Sequence, residues 1–181
     1  LWGNYPDACG LGYLMATESS GFHVNGYNVV NSPSCTAANG YTFAHELGHN
    51  MGLRHDNFVD PNPTTVSPEA GGAATSVGYA HGYVDLTNRF RTVMSYNDQC
   101  VAQNPTFNCT RIPHFSNPSV NFNNNGSYAP AVSAPTGNAT IAHERQSLND
   151  TRETVANFRQ GLATLTGPGV VIFSPPAYTV A

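Results

Sequence analysis

Between positions 42 and 56 the chain reads Thr42-Phe43-Ala44-His45-Glu46-Leu47-Gly48-His49-Asn50-Met51-Gly52-Leu53-Arg54-His55-Asp56. On a helix, His45 and His49 lie four residues apart, so both imidazoles leave one face and can grip one metal ion. Glu46 falls about 100° round that helix from His45, near enough to serve a metal-bound water without being a ligand. Gly52 permits a sharp turn, after which His55 returns as a third ligand. Three neutral histidines leave one zinc position open, the arrangement of a catalytic site rather than a closed structural one. Average residue usage puts a fortuitous HExxH in well under ~1% of chains this long, and the added glycine and third histidine make coincidence rarer still. The bland reading is a surface helix that happens to carry histidines. His23, His81, His114 and His143 have no such spacing and read as ordinary polar residues.

The rest of the composition narrows the setting. The 181 residues suffice for one domain with a sizeable core. Eleven acids against seven bases give a net charge of −4, and every base is arginine. Charged residues make up 10%, against about 25% in a typical chain; Asn, Ser, Thr and Gly supply the polarity instead, as is common in exported proteins. Seven scattered arginines leave no footprint for nucleic acid, and no apolar run approaches the roughly 20 residues of a membrane span. Four cysteines, none in a CxxC pair, are spaced for two local disulfides, Cys9–Cys35 and Cys100–Cys109.

The elements that must position the histidines are short. Cys9 to Met15 and His23 to Val30 read as strands, and a helix capped by Asn39 or Thr42 runs to about Met51, closed by Gly52. Phe58 to Gly72 reads as a surface loop, Tyr79–Val84 and Phe90–Met94 as short strands, and 97–138 as mostly irregular. A last helix starts at Ala142 or Ser147 and runs to Arg159, with Ile141, Leu148, Val155 and Phe158 on one stripe. The Pro-rich segment 161–181 reads as a tail or linker.

HExxHxxGxxHD followed by a methionine-bearing turn resembles the metzincin clan of zinc endopeptidases, and Asp56 after the third histidine is the variant of the reprolysin (adamalysin) group. The strand CGLGYL, Arg91-Thr92-Val93-Met94-Ser95-Tyr96, the stretch from Arg111 to Pro118 and that from Leu148 to Phe158 are similar to secreted bacterial reprolysin-like enzymes, peptidyl-Asp metalloendopeptidases among them. The resemblance implies His45, His49 and His55 as zinc ligands and Glu46 as general base, then acid. It implies Met94 as the Met-turn floor beneath the metal and Tyr96 as a residue that can hydrogen-bond the oxyanion, against a plain packing tyrosine. Asp56 reads as a buried acceptor fixing the third-histidine loop. Substrate is expected to pair with an edge strand around Gly12, Tyr13 and Leu14. If the nearest resemblance holds, acidic side chains are preferred after the scissile bond, with Arg89 or Arg91 as countercharge. Some metzincins carry calcium; no spacing here demands it.

The reading is thus an α+β metzincin (zincin-like) catalytic domain over 1–160. Residues 1–56 end its upper subdomain with the zinc-binding helix, and 57–160 form an irregular lower subdomain with Met-turn and C-terminal helix. The first part of the sheet is not found among the 44 residues before His45, which implies a further N-terminal segment, a separate chain or an unusually reduced domain. The function expected is that of a secreted, extracellular zinc endopeptidase acting on protein or peptide substrates. The alternatives are a catalytically incomplete zinc-binding module, or a hydrolase of small amides.

Overall fold

The computed structural model describes residues 2–3, 9–31, 41–67, 73–123 and 133–158. Cys35, Asn39 and the tail from 161 onward lie outside them, so the expectations placed there have no structural counterpart below.

Strands β1 (Trp2–Gly3), β2 (Gly10–Gly12) and β3 (Asn28–Asn31) form one small sheet in the order β1-β3-β2, with β1 parallel and β2 antiparallel to β3. Among the described residues β2 is therefore an edge. Helix α1 (Thr42–Asn50) lies against β2 and β3. Its last side chain ties the two together: Asn50 Nδ2 donates to the carbonyls of Tyr13 and Tyr27, and Oδ1 accepts from Asn28. Strands β4 (Thr64–Val66) and β5 (Thr75–Val77) pair antiparallel. Then β6 (Val84–Asp85), β7 (Phe90–Arg91) and β8 (Thr110–Arg111) form a mixed sheet centred on β7, with helix α2 (Asp98–Gln103) between the last two. An antiparallel pair, β9 (Asn121–Asn123) with β10 (Ser133–Pro135), precedes helix α3 (Glu144–Ala156). The architecture is mixed α+β, and among the described residues no helix is long and apolar enough to cross a membrane.

Because so few residues lie in long elements, the apolar interior is divided. Leu53, Val93 and Met94 form one cluster, Phe90, Ile112 and Ala134 a second, Val66, Val77 and Ala80 a third. The buried Cys100–Cys109 disulfide closes the loop around α2. No described cysteine is free.

Several expectations are corrected. The first strand stops at Gly12, not Met15, because the next groups bond elsewhere: Tyr13 O to Asn50, Met15 N to His49 O. Tyr13 and Leu14 thus lie beyond the ladder. His23–Val30 splits into a 3-10 helix, Ser20–Val24, begun by the Ser19 hydroxyl accepting from Gly21 N, and strand β3. Thr42 is the first residue of α1, not its cap; Tyr41 precedes it at φ 48 with no side-chain cap. The loop expected over 58–72 contains β4, held by buried Thr64 and Val66. The expected strands 79–84 and 90–94 shrink to β6 and β7, and the irregular 97–138 stretch holds α2, β8, β9 and β10.

The deepest correction concerns α3. Its buried residues are Glu144, Ser147 and Thr151, while Ile141 is exposed. The helix packs on backbone polar groups rather than on an apolar floor. Thr151 Oγ1 donates to Met51 O at 2.9 Å, and Glu144 accepts from Ser116 N at 2.6 Å. Only Leu148 reaches the Leu53/Val93/Met94 cluster.

Candidate active site

Helix α1 brings His45, Glu46 and His49 to one cleft, and the turn at Gly52 (φ 86) returns the chain so that His55 faces them. The Nε2 atoms of His45 and His49 each lie 3.1 Å from Nε2 of His55. Two Zn–N bonds of about 2.0–2.1 Å meeting at a tetrahedral angle need their nitrogens about 3.3 Å apart, so this donor set fits the ion. The outward nitrogens are already committed: His45 Nδ1 donates to Val93 O at 2.9 Å, His49 Nδ1 to Leu53 O at 2.8 Å. Those bonds fix the tautomer that leaves each Nε2 lone pair facing the centre. Burial, the largest influence, keeps the rings neutral, lowering His45 to about 3 and His55 to about 4, with His49 lowered too. Among the described residues this triad is the one group of three or more His, Cys, Asp or Glu able to hold a metal ion.

Glu46 lines the same cleft. Burial raises its carboxyl to about 7, opposed by the Gly12 N–H and by the charge of Arg111. The edge strand lies directly on it: a Cβ at Gly10 would come within 2.7 Å of the Glu46 side chain, and one at Gly12 within 2.7 Å of its carbonyl. The glycines of CGLGYL are thus what lets β2 approach the helix, a role the alternation alone did not disclose. Gly48 performs the same service underneath, where a Cβ would stand 2.6 Å from Met94 Sδ. Met94 is wholly buried there, packed with Leu53 and Val93.

The third-histidine loop is tied to the segment that carries Met94. Asp56, 2% exposed, accepts from Phe58 N at 3.2 Å and from Tyr96 N at 2.9 Å. The Tyr96 ring lies 4.2 Å from that of His55, tilted by 32°, and lines the cleft. From behind, His81 Nδ1 bonds His55 O at 2.8 Å.

Two charged residues that the sequence reading did not single out for the site belong to its surroundings. Arg111 acts electrostatically on Glu46, His45 and Tyr96, and with Arg91 it lines a cavity of about 340 Å³ that also includes Tyr41 and Phe122. Asp60 stands on the wall of the histidine cleft itself. Of the two arginines expected as countercharge, Arg91 is in the cavity, its guanidinium donating to Cys109 O and Ser95 O. Arg89 is not; it is exposed, with its guanidinium 4.0 Å from the centre of the Phe107 ring.

Comparison with known proteins gives a consistent picture. A family model of reprolysin-like members of metallo-peptidase family M12 matches residues 3–108. The peptidyl-Asp metalloendopeptidase of Xanthomonas campestris pv. campestris is 34% identical over 119 residues, 66% of this chain and 22% of that protein. The enzyme of the same name from Stenotrophomonas maltophilia strain K279a is 34% identical over 122 residues, 66% of this chain and 23% of its own. That from Pseudomonas aeruginosa is 31% identical over 160 residues, 87% of this chain and 24% of its own. The chain thus spans less than a quarter of the length of these relatives. No solved structure matches.

Proposed function

Because this chain belongs to metallo-peptidase family M12, in its reprolysin-like branch, we propose that it is the catalytic part of a secreted zinc endopeptidase that cuts peptide bonds beside acidic side chains. The observation that carries the reading is the convergence of three Nε2 lone pairs at 3.1 Å beside Glu46, under an edge strand.

His45, His49 and His55 would hold zinc. When bound there, the ion supplies the Lewis acidity that polarises a peptide carbonyl and makes water a nucleophile near neutral pH. The protein's own groups do the rest. Glu46, with its carboxyl near 7, is poised both to take the proton of the attacking water and to return it to the departing amide nitrogen. Tyr96 would present its hydroxyl to the oxyanion while its ring rests on His55. Met94, seated on Gly48, acts as the Met-turn floor of the histidine cluster. The open backbone of β2, Gly12 above all, would pair with the substrate strand whatever its sequence. The Arg91/Arg111 cavity would receive an acidic side chain of the substrate, in keeping with the name of the relatives. An extracellular setting suits the buried Cys100–Cys109 disulfide.

A second reading has support of its own. Phe43 and Leu47, one turn apart on α1, are 62% and 40% exposed, an apolar stripe that a further N-terminal segment or a separate chain would cover. On that reading the 181 residues bind zinc and need the partner for turnover.

The deciding experiment is digestion of an unfolded protein by the zinc-loaded chain, with and without a chelator, beside Glu46→Gln, read by mass spectrometry. Chelator-sensitive cleavage next to acidic residues, lost in the variant, supports the enzyme; replacing Arg111 by Met should then remove the acidic preference. Stoichiometric zinc with no cleavage supports the second reading.

A further inference from the structure

Asp60 is not needed for the chemistry above, yet it lies on the wall of the histidine cleft, a cavity of about 280 Å³ shared with Leu14, His49 and His55. Its carboxylate is built in rather than merely present. Oδ2 accepts from Arg54 Nη1 at 2.8 Å, and Oδ1 accepts from Asn62 N at 3.2 Å and Asn62 Nδ2 at 2.8 Å. Its own N–H donates to Asp56 O at 3.0 Å. Arg54 in turn is anchored from the far side, with Nε donating to Thr64 Oγ1 at 3.1 Å.

The pair is asymmetric. The arginine side chain is 9% exposed and the carboxylate 19%, so the cation lies behind and the anion in front. At contact range a bound group meets the oxygens first, although the pair is neutral at a distance. The carboxylate acts on His49 and His55 but not on His45 or Glu46, whereas Arg111 acts on His45, Glu46 and His55, and Arg54 opposes the carboxylate at His49. The cleft is therefore graded in charge across the histidines: Arg111 acts at the Glu46 end, and at the His49 end the carboxylate lines the cleft with Arg54 behind it.

On the peptidase reading, a peptide lying along β2 crosses both ends. We propose that Asp60 is a charge-selecting residue that favours a cationic substrate side chain, and rejects an acidic one, on the stretch of peptide passing His49 and His55, opposite the Arg91/Arg111 cavity. The arrangement costs little to use, because Arg54 and Asn62 already hold the carboxylate still. A like charge brought against it is disfavoured, which sets the direction and register of the bound chain more than its overall affinity. A dication in the triad repels a cationic side chain wherever it sits, so the role of Asp60 is read as a ratio at constant metal.

The test uses the 181-residue chain carrying zinc and Glu46→Gln, which binds without turnover. Fluorescence anisotropy compares peptides with one acidic residue and, at successive positions on either side of it, Lys in one twin and Glu in the other. The Lys twin should bind roughly 5–10-fold tighter at one position on one flank only, with the ratio shrinking as salt shortens the screening length. Adding Asp60→Asn, whose single amide oxygen still accepts from Asn62 while Arg54 loses its anionic partner, should bring the twins within about twofold with zinc content unchanged and a lower but still cooperative melting transition. If that variant does not fold, Asp60→Ser and the salt dependence of the parent decide. A ratio that is the same at every position, or that survives loss of the carboxylate in a folded protein, overturns the role of Asp60 alone. Binding of neither twin removes the peptidase reading and this inference with it.

Discussion

Helices α1 and α3 break the same rule in different ways. Each buries polar side chains, His45, Glu46, His49 and Asn50 in one, Glu144, Ser147 and Thr151 in the other. In α3 they turn to the backbone: Thr151 reaches Met51 O, and Glu144 both accepts from Ser116 N and donates its own N–H to Ser116 Oγ. In α1 the outward imidazole nitrogens are spent in the same manner, on Val93 O and Leu53 O, but each ring has a second nitrogen, and these converge on one point. Buried polarity is thus no mark of a site by itself. What separates the two helices is convergence: Glu144 Oε1 and Ser147 Oγ are also left over in α3, but among the described residues they belong to no group able to hold an ion, whereas the spare nitrogens of α1 meet at one place.

The same substitution made at each buried glutamate tests that difference most sharply. Glu46→Gln should lower peptide cleavage by ~10²–10⁴-fold or more while zinc content is unchanged; an active variant would overthrow the assignment. Removing zinc with a chelator should abolish cleavage and lower the melting temperature, because a ligand that binds only the folded state stabilises it by mass action.

Next comes Gly48→Ala, which drives a methyl into Met94 Sδ and should cost ~1–3 kcal/mol of stability, measured by urea denaturation. Helix α3 contains no glycine.

Glu144→Gln should leave cleavage intact and alter only the pH dependence of stability. Burial raises the Glu144 carboxyl to about 8, so the fold holds the neutral acid. The stability this contributes is complete below about 4.5, the unfolded value, declines as pH rises, and is gone by about 8. The variant should therefore flatten melting temperature over that window, measured against Glu46→Gln because Glu46 titrates near 7 in the same direction. The smallest effect belongs to Arg89→Ala, which removes an exposed cation–π contact with Phe107. It should cost at most ~1 kcal/mol in thermal melts and leave the cleavage-site profile unchanged.

The same contrast explains what could be read from the chain. The metal-site residues follow from spacing inside a fifteen-residue stretch, since helix geometry alone puts His45 and His49 on one face. The fold class followed from the resemblance those residues carry. Arg111 and Asp60 were invisible because nothing local marks them; their place is set by β8 pairing with β7 and by the turn Asp56–Asp60. Helix α3 lies where its stripe placed it, and Leu148 and Phe158 do pack, against the Leu53 cluster and the Phe22 ring; what the stripe does not disclose is the neighbouring polar face of Glu144, Ser147 and Thr151, which only tertiary structure shows to be buried. The strands of 58–72 and 97–138 are two or three residues long, too short for a two-residue period to stand out from background.

The two helix histidines differ in where their orienting carbonyl comes from. His49 finds its acceptor at Leu53, within the motif, whereas His45 borrows Val93, 48 residues further on. One ring is self-aligned as soon as the helix turns at Gly52; the other waits for the segment around Val93 to arrive. During synthesis, then, the site should pass through a stage at which it holds a metal loosely, by rings of which only one is steered, and should tighten when the segment around Val93 docks. Loss of such an outer partner typically weakens metal affinity ~10–100-fold, which makes metal retention a gauge of whether the two halves have closed on each other.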